Sequence, residues 1–237
     1  MVALQLASSA GLLALAALLA LAKTPSPPSS ERKEVLRLPP PDTVGGMPVE
    51  QALLRRRSVR AFSAKPLPLA AVSQLLWAAQ GMTAADGGRT APSAGGLWPL
   101  EVHLVATRVE GLAPGLYRYS PSSHALESSV PGRMAPRLAR ASLDQDFVAE
   151  APAVVLIAAV EGRTSPKYGS RAPRYVAFEA GAASENLALE AVALGLGSVV
   201  VGAFDDDEVA KVARLRAGER PLCLMPVGYP AVEQRGR

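Results

Sequence analysis

Four arginines and a serine fall within six residues at Arg55-Arg56-Arg57-Ser58-Val59-Arg60. A guanidinium is a planar fork that binds phosphate oxygens two at a time, and a serine hydroxyl adds a donor. The cluster therefore suits an anion. A solvated basic face, or one drawn to anionic lipid, would read the same way. A second segment, Ala91-Pro-Ser-Ala-Gly-Gly-Leu-Trp-Pro-Leu100, is stiffened by Pro92 and Pro99. Its Gly95 and Gly96 let backbone amides approach a flat ligand, and Leu97 and Trp98 argue for a loop packed on something. In a third, Gly195-Leu-Gly-Ser-Val-Val-Val-Gly-Ala-Phe204, Gly197, Gly202 and Ala203 could admit a ligand edge. A plain helix–strand connection would look alike.

These segments need elements to position them. Met47 to Arg57 suits a short helix, with apolar residues at 47, 49, 53 and 54. Leu69 to Gly81 reads as an amphipathic helix carrying Leu69, Val72, Leu75, Leu76 and Ala79 on one face. Glu101 to Thr107 alternates like a strand. Leu116 to Tyr119 and His124 to Glu127 flank a Pro-Ser-Ser turn as a hairpin. Ala153 to Val160 is a continuous apolar run, a buried strand. Tyr175 to Gly195 is the longest helix candidate, and Ser198 to Val201 a short strand. Asp205-Asp206-Asp207 starts a helix to Leu215, and Leu222 to Gly228 is a last strand. Helices mixed with a hairpin predict an α+β fold rather than a doubly wound parallel sheet.

Composition excludes several chemistries. The 237 residues hold one cysteine, Cys223, and two histidines, His103 and His124, so no internal disulfide forms and a zinc site is disfavoured. A Ser-His-Asp hydrolase would have to use one of those histidines; one lies in a strand and the other in a turn, where structural roles are expected. The three aspartates suit a helix start better than a metal, and Cys223 an inert core thiol. Aromatics are only 5%, which supplies few stacking platforms for single-stranded nucleic acid, and no nucleic-acid partner is expected. The net charge of +4 is mild; twenty of the 25 cations are arginine, a skew that also follows from genome composition.

Residues 1–22 carry no charged side chain and are apolar on every face, as in a signal peptide or membrane anchor. Ala20-Leu21-Ala22 has the small-x-small form of a cleavage site, but the cations follow the segment (Lys23, Arg32, Lys33, Arg37). Read by charge alone, that would leave an uncleaved anchor with its domain in the cytoplasm. Export to a periplasm or membrane anchoring is the expectation. Residues 23–46, rich in proline, read as a linker, residues 47–232 as the folded domain and 233–237 as a basic tail.

The order Arg56-Arg57-Ser58-x-Arg60, Pro92-Ser-Ala-Gly-Gly, a long helix closing in Gly-Leu-Gly-Ser, then Met225-Pro-Val-Gly-Tyr-Pro230 resembles the nitroreductase family of FMN enzymes. The stretch Pro92 to Val102, the Gly115-Leu-Tyr-Arg-Tyr hairpin and Phe178-Glu-Ala-Gly181 with Asn186 look like its SagB/ThcOx branch, which includes azoline oxidases. The resemblance implies a three-layer α+β fold with a mainly antiparallel central sheet flanked by helices, and a homodimer with two FMN at its interface. It implies that Arg56, Arg57, Ser58 and Arg60 hold the ribityl phosphate, completed by Arg235 or Arg237. Pro92, Ser93, Ala94 and Gly95 would line the flavin from the other subunit. Val200, Val201, Gly202 and Ala203 would face the isoalloxazine, with Gly202-Ala203 where better-known members carry Glu-Gly.

In azoline-oxidising members a Lys-Tyr pair acts in proton transfer, which implies that role for Lys167 and Tyr168. Dehydrogenation needs a base for one proton while flavin takes the hydride, and a lysine near a tyrosine hydroxyl can supply it. A surface lysine beside a packed tyrosine, in the Gly-, Pro- and Ser-rich loop 162–173, is the plainer reading. The implied activity passes electrons from NAD(P)H to a small nitro or quinone acceptor, or dehydrogenates a heterocycle. The alternative is a membrane-tethered basic module that binds a phosphorylated ligand or anionic lipid without redox chemistry.

Overall fold

A computed structural model describes residues 35–231. Its centre is a seven-stranded sheet in the order β1-β4-β3-β2-β5-β7-β6, with every neighbouring pair antiparallel. The strands are β1 (Val35–Arg37), β2 (Leu100–Ala106), β3 (Gly115–Ser120), β4 (Ala125–Pro131), β5 (Ala153–Val160), β6 (Gly197–Ser198) and β7 (Glu219–Gly228). The helices are α1 (Val49–Arg55), α2 (Leu69–Gln80), α3 (Ala135–Ala141), α4 (Asp146–Glu150), α5 (Ser165–Tyr168), α6 (Ala172–Ala193) and α7 (Asp206–Val212).

Strand β5 shows why three layers form. Its side chains alternate between two cores: Val155, Ile157 and Ala159 face one, Val154 and Leu156 the other. The first core is closed by α2 and α6 through Leu75, Leu76, Ala183 and Leu187. The second is closed by α3, α4 and α7 through Leu138, Val148 and Val209. A strand covered on both faces reads as an unbroken apolar run. The result is the expected α+β arrangement of a mainly antiparallel sheet between two helical layers. Helix α7 begins as its sequence requires: the Asp205 carboxylate accepts from the Glu208 amide at 2.9 Å.

The chain joins the fold earlier than expected. Residues 35–46, assigned above to the linker, start with strand β1 on the edge of the sheet, paired with β4. Leu38 is buried beneath it, and the Pro39 carbonyl accepts from Ser73 Oγ at 2.6 Å. His124 completes this clasp, with Nε2 2.9 Å from the Pro39 carbonyl and Nδ1 2.9 Å from the Tyr119 hydroxyl. Its role is structural, as expected. The expected loop 162–173 is instead a run of short helical turns that includes α5, whose N-terminal turn holds Pro166. Among the described residues no helix is long and apolar enough to cross a membrane. Residues 1–22, expected as a leader or anchor, lie outside the described residues, as does the basic tail.

Candidate functional site

The arginine cluster is fixed at the end of α1. Arg57 Nη1 donates to the carbonyls of Leu54 at 3.0 Å and Arg56 at 2.7 Å, satisfying acceptors that a helix end leaves free. Val59 is buried, and its amide donates to the Ser198 carbonyl at 3.0 Å, so Ser58 bridges Ser198. That contact explains Gly197: a Cβ there would stand 2.5 Å from the Val59 side chain. Gly197 is closed by Val59 and does not admit a ligand edge, contrary to the sequence expectation.

The cluster therefore lies beside the 200–203 strip. Val200, Gly202 and Ala203 are exposed. Val201 is not: its side chain joins the second core, and its amide and carbonyl both pair with Leu224, at 2.8 and 2.9 Å. The expectation that Val201 faces a ligand is corrected to a supporting role. Arg57, Ser58 and Arg60 are exposed, with Arg60 over the Phe147 ring at 5.9 Å. Arg56 Nε is 3.5 Å from Glu185, a solvent-facing pair of small energy. Among the described residues Arg57 and Arg60 have no ion pair, so their charge is uncommitted. Arg235 lies outside the described residues.

A cavity of about 320 Å³ opens between α6 and β7, lined by Ala180, Gly181, Ser184, Glu185, Val200 and Cys223. Its small side chains permit close approach of a flat ring. Burial pushes the Cys223 thiol up, against a contact from Ser184, so the thiol stays protonated and inert as expected.

The Pro92–Gly95 segment is held by α6. The Ala94 amide donates to Glu179 Oε1 at 2.8 Å, and Asn186 Nδ2 donates to the Thr90 carbonyl at 3.0 Å. Ser93 Oγ accepts from the Trp98 amide at 2.9 Å. Gly95 takes a left-handed φ of 66°. Lys167 and Tyr168 of α5 stand directly against it: a Cβ on Gly95 would lie 2.7 Å from Lys167 Nζ and 2.9 Å from the Tyr168 hydroxyl. Tyr168 packs edge-on to Tyr175 with ring centroids 4.7 Å apart. Lys167 is exposed and Tyr168 half-buried, so a lysine amine and a tyrosine hydroxyl meet at the segment's surface.

Glu179 was not assigned a role from sequence. It is 4% exposed, and its second oxygen, Oε2, has no hydrogen-bond partner. Burial pushes its carboxyl up, opposed by the Ala94 amide, Ser93 and Arg89. The available signal was a carboxylate at position 179 on a helix face otherwise made of Val176, Ala180, Ala183 and Leu187. Glu185 and Glu179 sit about 9 Å apart along the helix at the standard rise, so α6 links the arginine cluster to the Pro92–Gly95 segment.

The model of the nitroreductase family matches residues 53–229. A relative from Methanocaldococcus jannaschii, "Putative nitroreductase MJ1384", is 43% identical over 180 residues, covering 76% of this chain and 90% of the relative. The crystal structure of a putative nitroreductase from Ralstonia eutropha is 36% identical with a TM-score of 0.74, covering 88% of this chain and 94% of that one. A chain of the E. coli microcin synthetase McbBCD complex with truncated pro-MccB17 bound is 25% identical with a TM-score of 0.67. It covers 96% of this chain and 85% of that one.

Proposed function

The chain belongs to the nitroreductase family, and from that membership we propose an FMN-dependent oxidoreductase that takes hydride from NAD(P)H and reduces a small nitro or quinone acceptor. The observation that carries the reading is the position of the cluster. Ser58 and Arg60 offer uncommitted donors, and Arg57 the guanidinium nitrogens that do not cap α1, locked through Val59 to β6 beside exposed Val200, Gly202 and Ala203. This donor set suits a phosphate, and the small-residue cavity next to it suits a flat ring, so the residues fit FMN. Arg56, Arg57, Ser58 and Arg60 would hold the phosphate, with Arg235 adding a further cation, and Gly202-Ala203 would border the ring. FMN supplies hydride and electron transfer when bound, while the protein orients it and controls access.

A homodimer suits the exposed apolar side chains near this site. Leu53, Leu54, Phe178 and Val200 are each at least half exposed, and a second copy would cover them. Pro92, Ser93, Ala94 and Gly95 would then line the flavin of the partner subunit. Family membership favours this redox reading over a tethered lipid- or phosphate-binding module.

A second reading, dehydrogenation of a heterocycle, is favoured by one observation. Lys167 Nζ and the Tyr168 hydroxyl converge on Gly95 within the segment assigned to the flavin. In this reading Lys167 would accept the proton lost from one ring position while a neighbouring C–H bond gives its hydride to the bound flavin, and Tyr168 would stand beside the lysine.

The deciding experiment is the visible spectrum of the purified chain before and after dithionite. A flavin band that bleaches is expected. A colourless protein that also fails to take up added FMN would overturn the reading.

A further inference from the structure

One face of α6 carries Tyr175, Glu179 and Asn186, spaced at i, i+4 and i+11. Each holds a different piece of the neighbouring structure. Asn186 Nδ2 donates to the Thr90 carbonyl at 3.0 Å, and Glu179 Oε1 accepts from the Ala94 amide at 2.8 Å. Tyr175 packs edge-on against Tyr168, with ring centroids 4.7 Å apart. The helix therefore supports both sides of a contact that it does not itself make: Gly95 on one side, Lys167 Nζ and the Tyr168 hydroxyl on the other.

The turn that carries Gly95 is closed on itself. The Gly96 amide donates to the Ser93 carbonyl at 3.1 Å, and the Trp98 amide donates to Ser93 Oγ at 2.9 Å. Two side chains pin this turn from outside. Arg163 Nη1 donates to the Trp98 carbonyl at 2.9 Å, and Glu179 accepts from Ala94. The pins differ in what water can do to them. The Arg163 side chain is 42% exposed, so water competes for its bond. Glu179 is 4% exposed, so no solvent oxygen replaces it at the Ala94 amide. A buried amide without an acceptor is costly, so the turn stays where the Glu179 oxygen is. Ala94 adjoins Gly95, and a shift there passes directly to the Lys167 contact.

We propose that Glu179 is a positioning residue: through the Ala94 amide it sets where Gly95 meets Lys167 and Tyr168. The role needs an acceptor oxygen at the reach of a glutamyl side chain and makes no use of its negative charge. The proposal rests on the reading in which Lys167 accepts a substrate proton, and it adds the residue that holds the lysine's partner in place. A misplacement of about 1 Å can cost about 100-fold in rate. A side chain on the far side of the turn therefore still reaches the chemistry.

Two substitutions separate reach from charge. Glu179→Gln keeps the acceptor and its reach and removes the charge. Glu179→Asp keeps the charge and draws the acceptor back by one methylene. The purified full chain is acetylated with a limiting amine-reactive ester, and peptide mass spectrometry reads Lys167 against Lys211, an exposed lysine on α7. The Lys167-to-Lys211 ratio should change at least threefold in Glu179→Asp and less than twofold in Glu179→Gln. Ala94→Pro deletes the amide itself, at a position where the extended Ser93 (φ −134°, ψ 135°) accepts a following proline. It should repeat the Glu179→Asp change, and it decides the outcome if that variant does not fold. On the flavin-loaded chain, kcat for azoline dehydrogenation should fall at least tenfold in Glu179→Asp, with KM within threefold, and should be kept in Glu179→Gln. Equal losses in Glu179→Asp and Glu179→Gln would assign the role to the charge and overturn the proposal. So would an unchanged labelling ratio in both Glu179→Asp and Ala94→Pro. A chain that takes up no flavin would overturn the redox reading, while the labelling ratios would still decide the role of Glu179.

Discussion

Lys167 Nζ occupies the space that a side chain at residue 95 would need, 2.7 Å from the Cβ position of Gly95. The contact ties α5 to the Pro92–Gly95 segment, and a side chain at residue 95 would have to displace Lys167 and Tyr168. Gly95 also holds a φ of 66°, so a side chain there is strained twice over. Gly95→Ala should displace Lys167 and Tyr168, and it should lower heterocycle dehydrogenation at least tenfold while the chain remains folded by circular dichroism. Unchanged dehydrogenation would separate this contact from activity.

Lys167→Ala removes the base and leaves the glycine. It should slow dehydrogenation of an azoline by two orders of magnitude or more, in the range of general-base contributions. Quinone reduction, which needs no proton taken from carbon, should change less than threefold. Steady-state rates with both substrates check this. Equal losses would make Lys167 a structural support.

How much of this was readable from sequence depended on the range of the interaction. Strand β5 and the Asp205 cap were legible because each is written in neighbouring residues. The arginine cluster at the end of α1 was legible for the same reason. Strand β1 was missed because three residues beside a proline run carry little pattern; their hold comes from Ser73 and His124, far along the chain. Helices α3 and α4 passed unassigned because short segments with Pro136 and mixed charge show no clear period. Val201 was placed on the wrong side because the run Val199-Val200-Val201 does not announce which residue pairs with Leu224. The meeting of Lys167 with Gly95, and of Glu179 with Ala94, exists only after folding.

The phosphate assignment predicts a large loss on double substitution. Charge-assisted hydrogen bonds contribute about 1.5–3 kcal/mol each. Arg56→Ala combined with Arg60→Ala should therefore raise the Kd for FMN at least 100-fold, at about 1.4 kcal/mol per tenfold change. Flavin fluorescence titration measures it. Unaltered FMN retention would remove these arginines from the site.

The apolar face predicts the oligomeric state. Phe178 is 65% exposed on α6, one residue before Glu179. Phe178→Glu places a charge where a partner subunit would pack. The unmodified chain should run as a dimer in sedimentation, and the variant should shift toward monomer and lose flavin with it. A monomeric unmodified chain with full flavin would rule out a shared site.

Glu179 makes stability fall as pH rises. Its pKa is raised by burial in the folded chain, so the native state keeps its proton longer than the unfolded one does. The contribution is complete below the ordinary glutamate value of 4.5 and is lost as pH climbs through the raised value. Glu179→Gln keeps an oxygen for the Ala94 amide and carries no charge. Urea midpoints from pH 4.5 upward should decline less in this variant, which should be the more stable of the two at pH 8. Parallel pH curves would show that the carboxylate is not the titrating group.

Glu219 acts in the opposite sense. Burial alone would raise its carboxyl, but His103, the Arg216 amide and Arg118 together hold it down to about 2. The short contact is Arg118 at 2.8 Å; His103 stands at 3.5 Å. A depressed carboxyl stabilises the fold fully above its unfolded value of 4.5 and loses that effect as pH falls toward about 2. One pKa unit corresponds to about 1.4 kcal/mol, so the contribution is on the order of 3 kcal/mol. Glu219→Gln leaves Arg118 bonded to Glu101, and it should flatten the acid limb of the stability curve between pH 4.5 and 2. Denaturant titrations across that window measure the slope. An acid limb as steep in the variant as in the unmodified chain would assign acid unfolding to other carboxylates.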